Sequence, residues 1–386
     1  MTQTTVRSVE PWLADERTDS TEASVLERVG AIVRAELAPL VLKIDQEQHY
    51  PARILRALGA AGAYRTHMPN AVTGAVDLRT AIRAMSIASE HCVSTSFCMW
   101  CQNALVWSVA ASENRALKER LLVDVANGTQ LGGTGLSNAL KAFTGIERFR
   151  LRGQRVKGGY TVKGVLPWVS NLGTDHVFAT VFEVDGAPHH QVMAVMPCNA
   201  PGLRLAETAA FVGLGAARTF AVQLRDVFVP EANIIADPAV DYMQRIRGGF
   251  VLLQTGIGLG LIRGCIEAMR QERSSLAHIN TYISRQPEDI EMALAELEAE
   301  TQRLALNPFA AGEDHFRRVL EVRLRVGELS VEAAHFALLH QGARGYTRTG
   351  TAQRRLREAY FLAILTPGTK HVRKLLAEGD TSAGKR

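Results

Sequence analysis

Only five of the 386 residues are cysteine. The opening stretch, which carries Glu10, Asp15, Glu16 and Asp19, lacks the basic-then-apolar profile of a secretory signal. Together these absences imply reduced thiols and a cytoplasmic location rather than a disulfide framework. No run of apolar residues reaches the roughly 18 needed to cross a bilayer, so no membrane anchor is expected. No aromatic-basic motif supports nucleic-acid binding, and the pair His189-His190 has no further ligands at metal-binding spacing, so no metal site is expected. Internal repeats and low-complexity tracts are also missing.

What is present is ordinary for a globular chain: 47% hydrophobic and 22% charged residues, enough for two or three packed units. The net charge of +5 is spread along the chain except at two clusters, Arg354-Arg355-Leu356-Arg357 and Lys370-His371-Val372-Arg373-Lys374. Each reads either as a solvated helix face or as a site for a phosphate-bearing cofactor or substrate.

Hydrophobic spacing divides the chain into three blocks. From about Thr21 to Gly128 apolar residues such as Leu26, Val29 and Val33 recur at three- and four-residue intervals, which predicts helices. Pro51 suits a helix start, where its missing N–H costs nothing. After Gly128 the runs Tyr160–Val165, His176–Val181, Gln191–Met196 and Thr219–Leu224 are β-rich and punctuated by Gly and Pro, and they read as antiparallel strands. Helical periodicity returns from about Tyr242 to Leu376. The expected division is a flexible tail over 1–20, a helical domain over 21–128, a β domain over 129–238, a helical bundle over 239–378 and a tail over 379–386.

Two strings look like motifs of other folds. Gly256-Ile257-Gly258-Leu259-Gly260 is superficially a dinucleotide fingerprint, but no strand precedes it and the glycine spacing is wrong, so close helix packing explains it better. Cys98-Met99-Trp100-Cys101 has redox spacing yet lies in an apolar helical run, and reads as two buried thiols.

Four separated stretches, in order, resemble the acyl-CoA dehydrogenase superfamily and together cover nearly the whole chain. They are Gly128–Ser137, Trp168-Val169-Ser170-Asn171, Arg225–Pro230, and Gly342-Ala343-Arg344-Gly345-Tyr346 followed by Leu365-Thr366-Pro367-Gly368-Thr369. The resemblance implies an α+β fold with an N-terminal helical domain, a central antiparallel β domain and a C-terminal four-helix bundle. It implies a flavin cofactor, FAD in preference to FMN, with Trp168 walling the ring and Ser170 bonding near its N5 edge. Thr134, Leu136 and Ser137 would lie along the opposite rim, and Gly368 and Thr369 at the far side. Gly342 and Ala343 either end a helix or approach the cofactor of a neighbouring subunit, where glycine lets backbone amides come close to phosphate.

The departures bear on the reaction. Pro367 stands where the family usually carries its catalytic Glu, Phe250 stands at the alternative base position, and Val251 replaces an Arg that often holds the CoA arm. A pyrrolidine ring cannot accept a proton. Asn138–Thr144 replaces the family's Gly-rich loop, and the Arg-x-x-Phe-Gly motif used on cofactor phosphates across the subunit interface is missing near Arg273. Glu358 is a candidate substitute base, although the family usually has a structural Asp there; Glu90 and His91 are others. Three functions remain open: a flavin-dependent oxidoreductase acting on an acyl thioester or related small molecule by non-standard chemistry, with a carrier protein as possible partner; a flavin-dependent monooxygenase of the same fold; or a non-catalytic subunit of a heteromeric enzyme that completes a homologous partner. A homodimer or homotetramer is expected.

Overall fold

The computed structural model describes residues 22–69, 74, 76–310 and 312–383. The tail expected over 1–20 lies outside these residues.

The first block is helical. α1 (Glu22–Ile32) continues through a π turn and a 3-10 turn into α2 (Val41–Gln46), and α3 (Ala52–Ala60), α4 (Arg79–Ser89), α5 (Val93–Ala110) and α6 (Arg115–Asn127) follow. Pro51 sits immediately before α3, as its missing N–H predicts. Asn114 caps α6 by accepting from the Leu117 amide, and Gly128 ends that helix in the left-handed conformation. Every residue of α5 is buried, including Cys98 and Cys101. A helix apolar on all sides belongs at the centre of a fold.

The second block is a single sheet. Its strands are β1 (Gly132–Thr134), β2 (Leu151–Val156), β3 (Gly159–Val169), β4 (Val177–Val184), β5 (Gln191–Pro197), β6 (Leu203–Glu207), β7 (Phe220–Pro230) and β8 (Ile234–Ala236). The order is β6-β7-β3-β2-β4-β5-β8, with β1 also beside β4. The expected antiparallel pairing holds except that β4 pairs parallel with both β1 and β2, so the sheet is mixed. Asn138–Thr144 was expected as a lost loop; instead α7 (Ser137–Phe143) forms there. The Thr144 hydroxyl closes its last turn on the carbonyls of Leu140 and Lys141.

In the third block α8 (Val240–Arg270), α10 (Pro287–Ala305), α11 (Glu313–Gln341) and α12 (Thr351–Ile364) pack together, with the short α9 (Arg273–Asn280) between the first two and α13 (Thr369–Ala383) against α11. α13 continues past 378, so the expected C-terminal tail is helical to Ala383. The glycines of α8 are packing glycines: a Cβ at Gly256 or Gly260 would strike the carbonyl of Ile82 or Ser86 on α4, and one at Gly258 would strike Val326 on α11. α8 is long and apolar enough, by length and composition, to cross a membrane, which the expectation of no such run missed; 89% of its apolar window is buried against the neighbouring helices.

Candidate active site

Between sheet and bundle lies a cavity of about 1000 Å³. Its sheet wall is built from segment ends, where side chains escape the ladder: Thr134 closes β1, Ser137 opens α7, Trp168 is the next-to-last residue of β3 and Ser170 follows that strand. Trp168 is 60% exposed, an unusual state for the largest side chain in the chain's repertoire. Asn171 holds this corner. Its backbone is left-handed, its amide donates to the Gly132 carbonyl at 2.6 Å, and its Oδ1 accepts from the Tyr50 hydroxyl at 2.7 Å. Ser170 and Thr219 share a hydroxyl–hydroxyl bond of 2.7 Å.

The segment 364–369 forms the floor, and buried polar groups hold it. Ser137 Oγ meets Thr366 Oγ1 at 2.8 Å, tying the floor to the sheet wall. Gln254 on α8 donates to the Thr366 carbonyl at 2.8 Å. Arg323 on α11 donates to Gln254 Oε1 at 2.7 Å and to the carbonyls of Leu362 and Leu365. Burial lowers the Arg323 guanidinium to about 10, and its hydrogen bonds go to neutral oxygens. Pro367 is itself buried.

Opposite Trp168 the helices contribute aromatic rings. Phe97 stacks on Trp100 at 5.8 Å between centroids, Phe361 meets Phe97 edge-on at 4.7 Å, and Phe250 meets Trp100 edge-on at 5.2 Å. All four line the cavity. Lys141, Lys370 and Arg373 bring positive charge to the lining, with His371 beside them. Among the described lining residues the only carboxylate is Glu328, which is ion-paired with Arg373.

Thr134, Ser137, Trp168, Ser170, Gly368 and Thr369 thus come together on one cavity. Leu136 does not line it; it is packed into the helical core beneath. Gly342 and Ala343 line a separate cavity of about 700 Å³ with Ile279, His340 and Arg344. Exposed Ile279, Tyr282, Leu339 and Tyr346 lie on the same segments.

The candidate base Glu358 is placed elsewhere. It is enclosed between Arg354 at 3.0 Å and Arg355 at 3.2 Å, and accepts from the Val93 amide. Both oxygens are committed to structural donors and neither reaches the cavity. The arginine cluster 354–357 is correspondingly an internal clamp: Arg355 also bonds the Ser89 carbonyl, and Arg357 pairs with Asp45 at 2.6 Å. Glu90 pairs with Arg263 at 2.9 Å and, with His91, lines a third cavity with Arg354 and Arg355. Residues that sequence reasoning missed are Phe97, Trp100, Phe361, Thr219 and Lys141.

These residues suit a flavin. An isoalloxazine ring needs a flat aromatic wall and a few short donors. The open indole of Trp168 and the hydroxyls of Thr134, Ser137, Ser170 and Thr219 provide both, in a space large enough for the ring and a small substrate.

Residues 19–129 match the family model described as the acyl-CoA dehydrogenase N-terminal domain. The mitochondrial short-chain specific acyl-CoA dehydrogenase of Bos taurus is 22% identical over 365 residues, covering 89% of this chain and 86% of its own. Among solved structures, butyryl-CoA dehydrogenase from Megasphaera elsdenii superimposes with a TM-score of 0.83 at 16% identity, covering 95% of this chain and 99% of its own. An FAD complex of PigA does so with a TM-score of 0.80 at 15% identity, over 95% and 99% of the two chains.

Proposed function

Since the chain belongs to the acyl-CoA dehydrogenase superfamily, we propose that it is an FAD-dependent oxidoreductase whose substrate is an acyl thioester or a related small molecule, handled without the family's usual base. The observation that carries the proposal is the pairing of an open Trp168 face with a cavity lined by Phe250, Thr366 and Gly368, next to the buried Pro367; by resemblance Phe250 and Pro367 stand at the family's two base positions. The flavin, when bound, would supply a two-electron acceptor. The protein's part is then positional: Trp168 and the hydroxyl pairs Ser137–Thr366 and Ser170–Thr219 orient the ring, while Phe97, Trp100, Phe250 and Phe361 keep water from the side facing it.

The ion pairing of Glu328, the only carboxylate among the described lining residues, with Arg373 favours a second reading, a flavin-dependent monooxygenase, because oxygen transfer needs no α-proton abstraction. A cavity open to a flavin supports a catalytic chain over a silent subunit. The exposed apolar residues around Gly342 support contact with a further copy, in a homodimer or homotetramer.

The test starts with the absorption spectrum of the purified protein and mass spectrometry of whatever it carries. A bound flavin that bleaches anaerobically on adding a thioester supports dehydrogenation; an oxygenated product formed only with reductant and O₂ supports the monooxygenase. Protein that stays colourless after incubation with FAD refutes both.

A further inference from the structure

Only 6% of the chain is Phe, Tyr or Trp, yet six of these residues, Phe97, Trp100, Trp168, Phe211, Phe250 and Phe361, line the main cavity. The flavin reading accounts for Trp168. Excluding water asks the helical side only for apolar bulk, which leucine would supply, and does not explain why α5, α8 and α12 bring rings.

Those rings are arranged with respect to one another. Phe97 and Trp100 stand three residues apart on α5, where helical spacing puts them on one face, and their planes are nearly parallel at 12°. Phe250 from α8 meets Trp100 at 72°, and Phe361 from α12 meets Phe97 at 68°. Parallel and edge-on are the two geometries that the aromatic quadrupole favours. Rings that fix one another in this way are ordered before any ligand arrives, so little freedom is lost when one binds.

The surroundings are equally restrictive. The charged lining residues come from α7, α11 and α13, and α5, α8 and α12 contribute none. The other α5 group on the lining is Cys101, whose thiol is raised well above its ordinary range by burial and stays protonated. A hydroxyl or carboxylate set among these side chains would lose its water without gaining a partner. The ligand portion that reaches them is therefore apolar. An alkyl chain would bury area there but give up its own rotations and offer no quadrupole to the rings. A flat ring continues the parallel and edge-on pattern, and its other face is left for the flavin that Trp168 walls.

We propose that the substrate is an arylalkanoyl thioester or its equivalent, whose aromatic ring seats against Phe97, Trp100, Phe250 and Phe361, with Trp100 and Phe250 selecting it over an alkyl chain. The proposal rests on the flavin reading above and names the substrate class of that site.

The test titrates flavin-loaded full-length protein, without oxygen, with the N-acetylcysteamine thioesters of 3-phenylpropanoate, 3-cyclohexylpropanoate and nonanoate, and follows flavin absorbance. All three acyl groups have nine carbons, and hydrophobicity alone favours the two saturated ones. The phenyl compound should nevertheless bind about tenfold tighter than either. Trp100→Leu and Phe250→Leu should bring it to within about twofold of the cyclohexyl compound with flavin content unchanged. Phe361 is half-buried, so Phe361→Leu disturbs the packing less; it should reduce the preference to about threefold, and it carries the test if the other two variants lose flavin. Equal or weaker affinity for the phenyl compound overturns the proposal, as does binding of none of the three thioesters or a preference that survives every substitution. Protein that takes up no flavin sinks the functional reading together with this one, whereas flavin-loaded protein indifferent to the ring sinks this one alone.

Discussion

Replacing Arg323 with methionine isolates the network that sets the cavity floor. The side chain is 1% exposed and its donors go to Gln254 Oε1, the Leu362 carbonyl and the Leu365 carbonyl. Two opposed effects follow from Arg323→Met. Removing a buried cation whose affinity for its proton has dropped from 12.5 to about 10 relieves a cost of about 3 kcal/mol. Against this, three acceptors lose charged donors, each contributing about 1.5–3 kcal/mol, the weakest being the 3.4 Å contact to Leu365. Taking about 5–7 kcal/mol for the three leaves a net loss of roughly 2–4 kcal/mol. Methionine nearly matches the stem in length, so little is added for a cavity. Denaturant unfolding of the flavin-free protein measures the loss. FAD titration of the same variant should show weakened binding, because Leu362 and Leu365 lose their donor from α11 and Gln254, which holds Thr366, loses the contact that fixes its Oε1. A variant as stable as the parent, with unchanged FAD affinity, would refute the claim that hydrogen bonding outweighs desolvation at this position.

Three further outcomes are expected. Pro367→Glu places a carboxylate at the usual base position, and if proton abstraction is the missing element, anaerobic flavin bleaching by thioesters should accelerate by on the order of 10²–10⁴; no change would mean that the base is not what the reaction lacks. Glu358→Gln removes the counter-charge of two buried arginines and should cost about 3–5 kcal/mol in unfolding experiments. Flavin reduction per folded molecule should stay the same, the opposite of what a catalytic role demands. His67 is fully buried and its imidazole is pushed down to about 4. The unfolded chain takes up a proton near pH 6.5 while the folded one does not until about pH 4, so stability is full above 6.5 and falls by up to about 3 kcal/mol as pH drops between those values. Stability measured across that interval should flatten in His67→Leu.

The order of helix, sheet and helix was legible because each block repeats one hydrophobic period many times. Strands expected at Tyr160–Val165 and Gln191–Met196 lie inside β3 and β5. The glycines of α8 were legible as packing glycines for a related reason: without a preceding strand, a backbone stripped of side chains serves only to admit a neighbouring helix. α7 was not legible, because the run Asn138–Thr144 was judged by the loop it replaces rather than by its own short helical potential, which Thr144 completes. The sheet wall of the cavity was readable since Trp168 and Ser170 stand on one short string. The facing wall was not: in α5, where every residue is buried, Phe97 and Trp100 have the same apolar signature whether they face a cavity or a core. Charge clusters carried the least information of all. Arg354–Arg357 and Lys370–Lys374 look alike as strings, yet the first folds inward around Glu358 and Asp45 while the second opens onto the cavity. In the first cluster three arginines are paired with Glu358 and Asp45 inside the helical packing, whereas in the second Arg373 and Lys374 have exposed partners, Glu328 and Glu378, and Lys370 has no ion pair among the described residues.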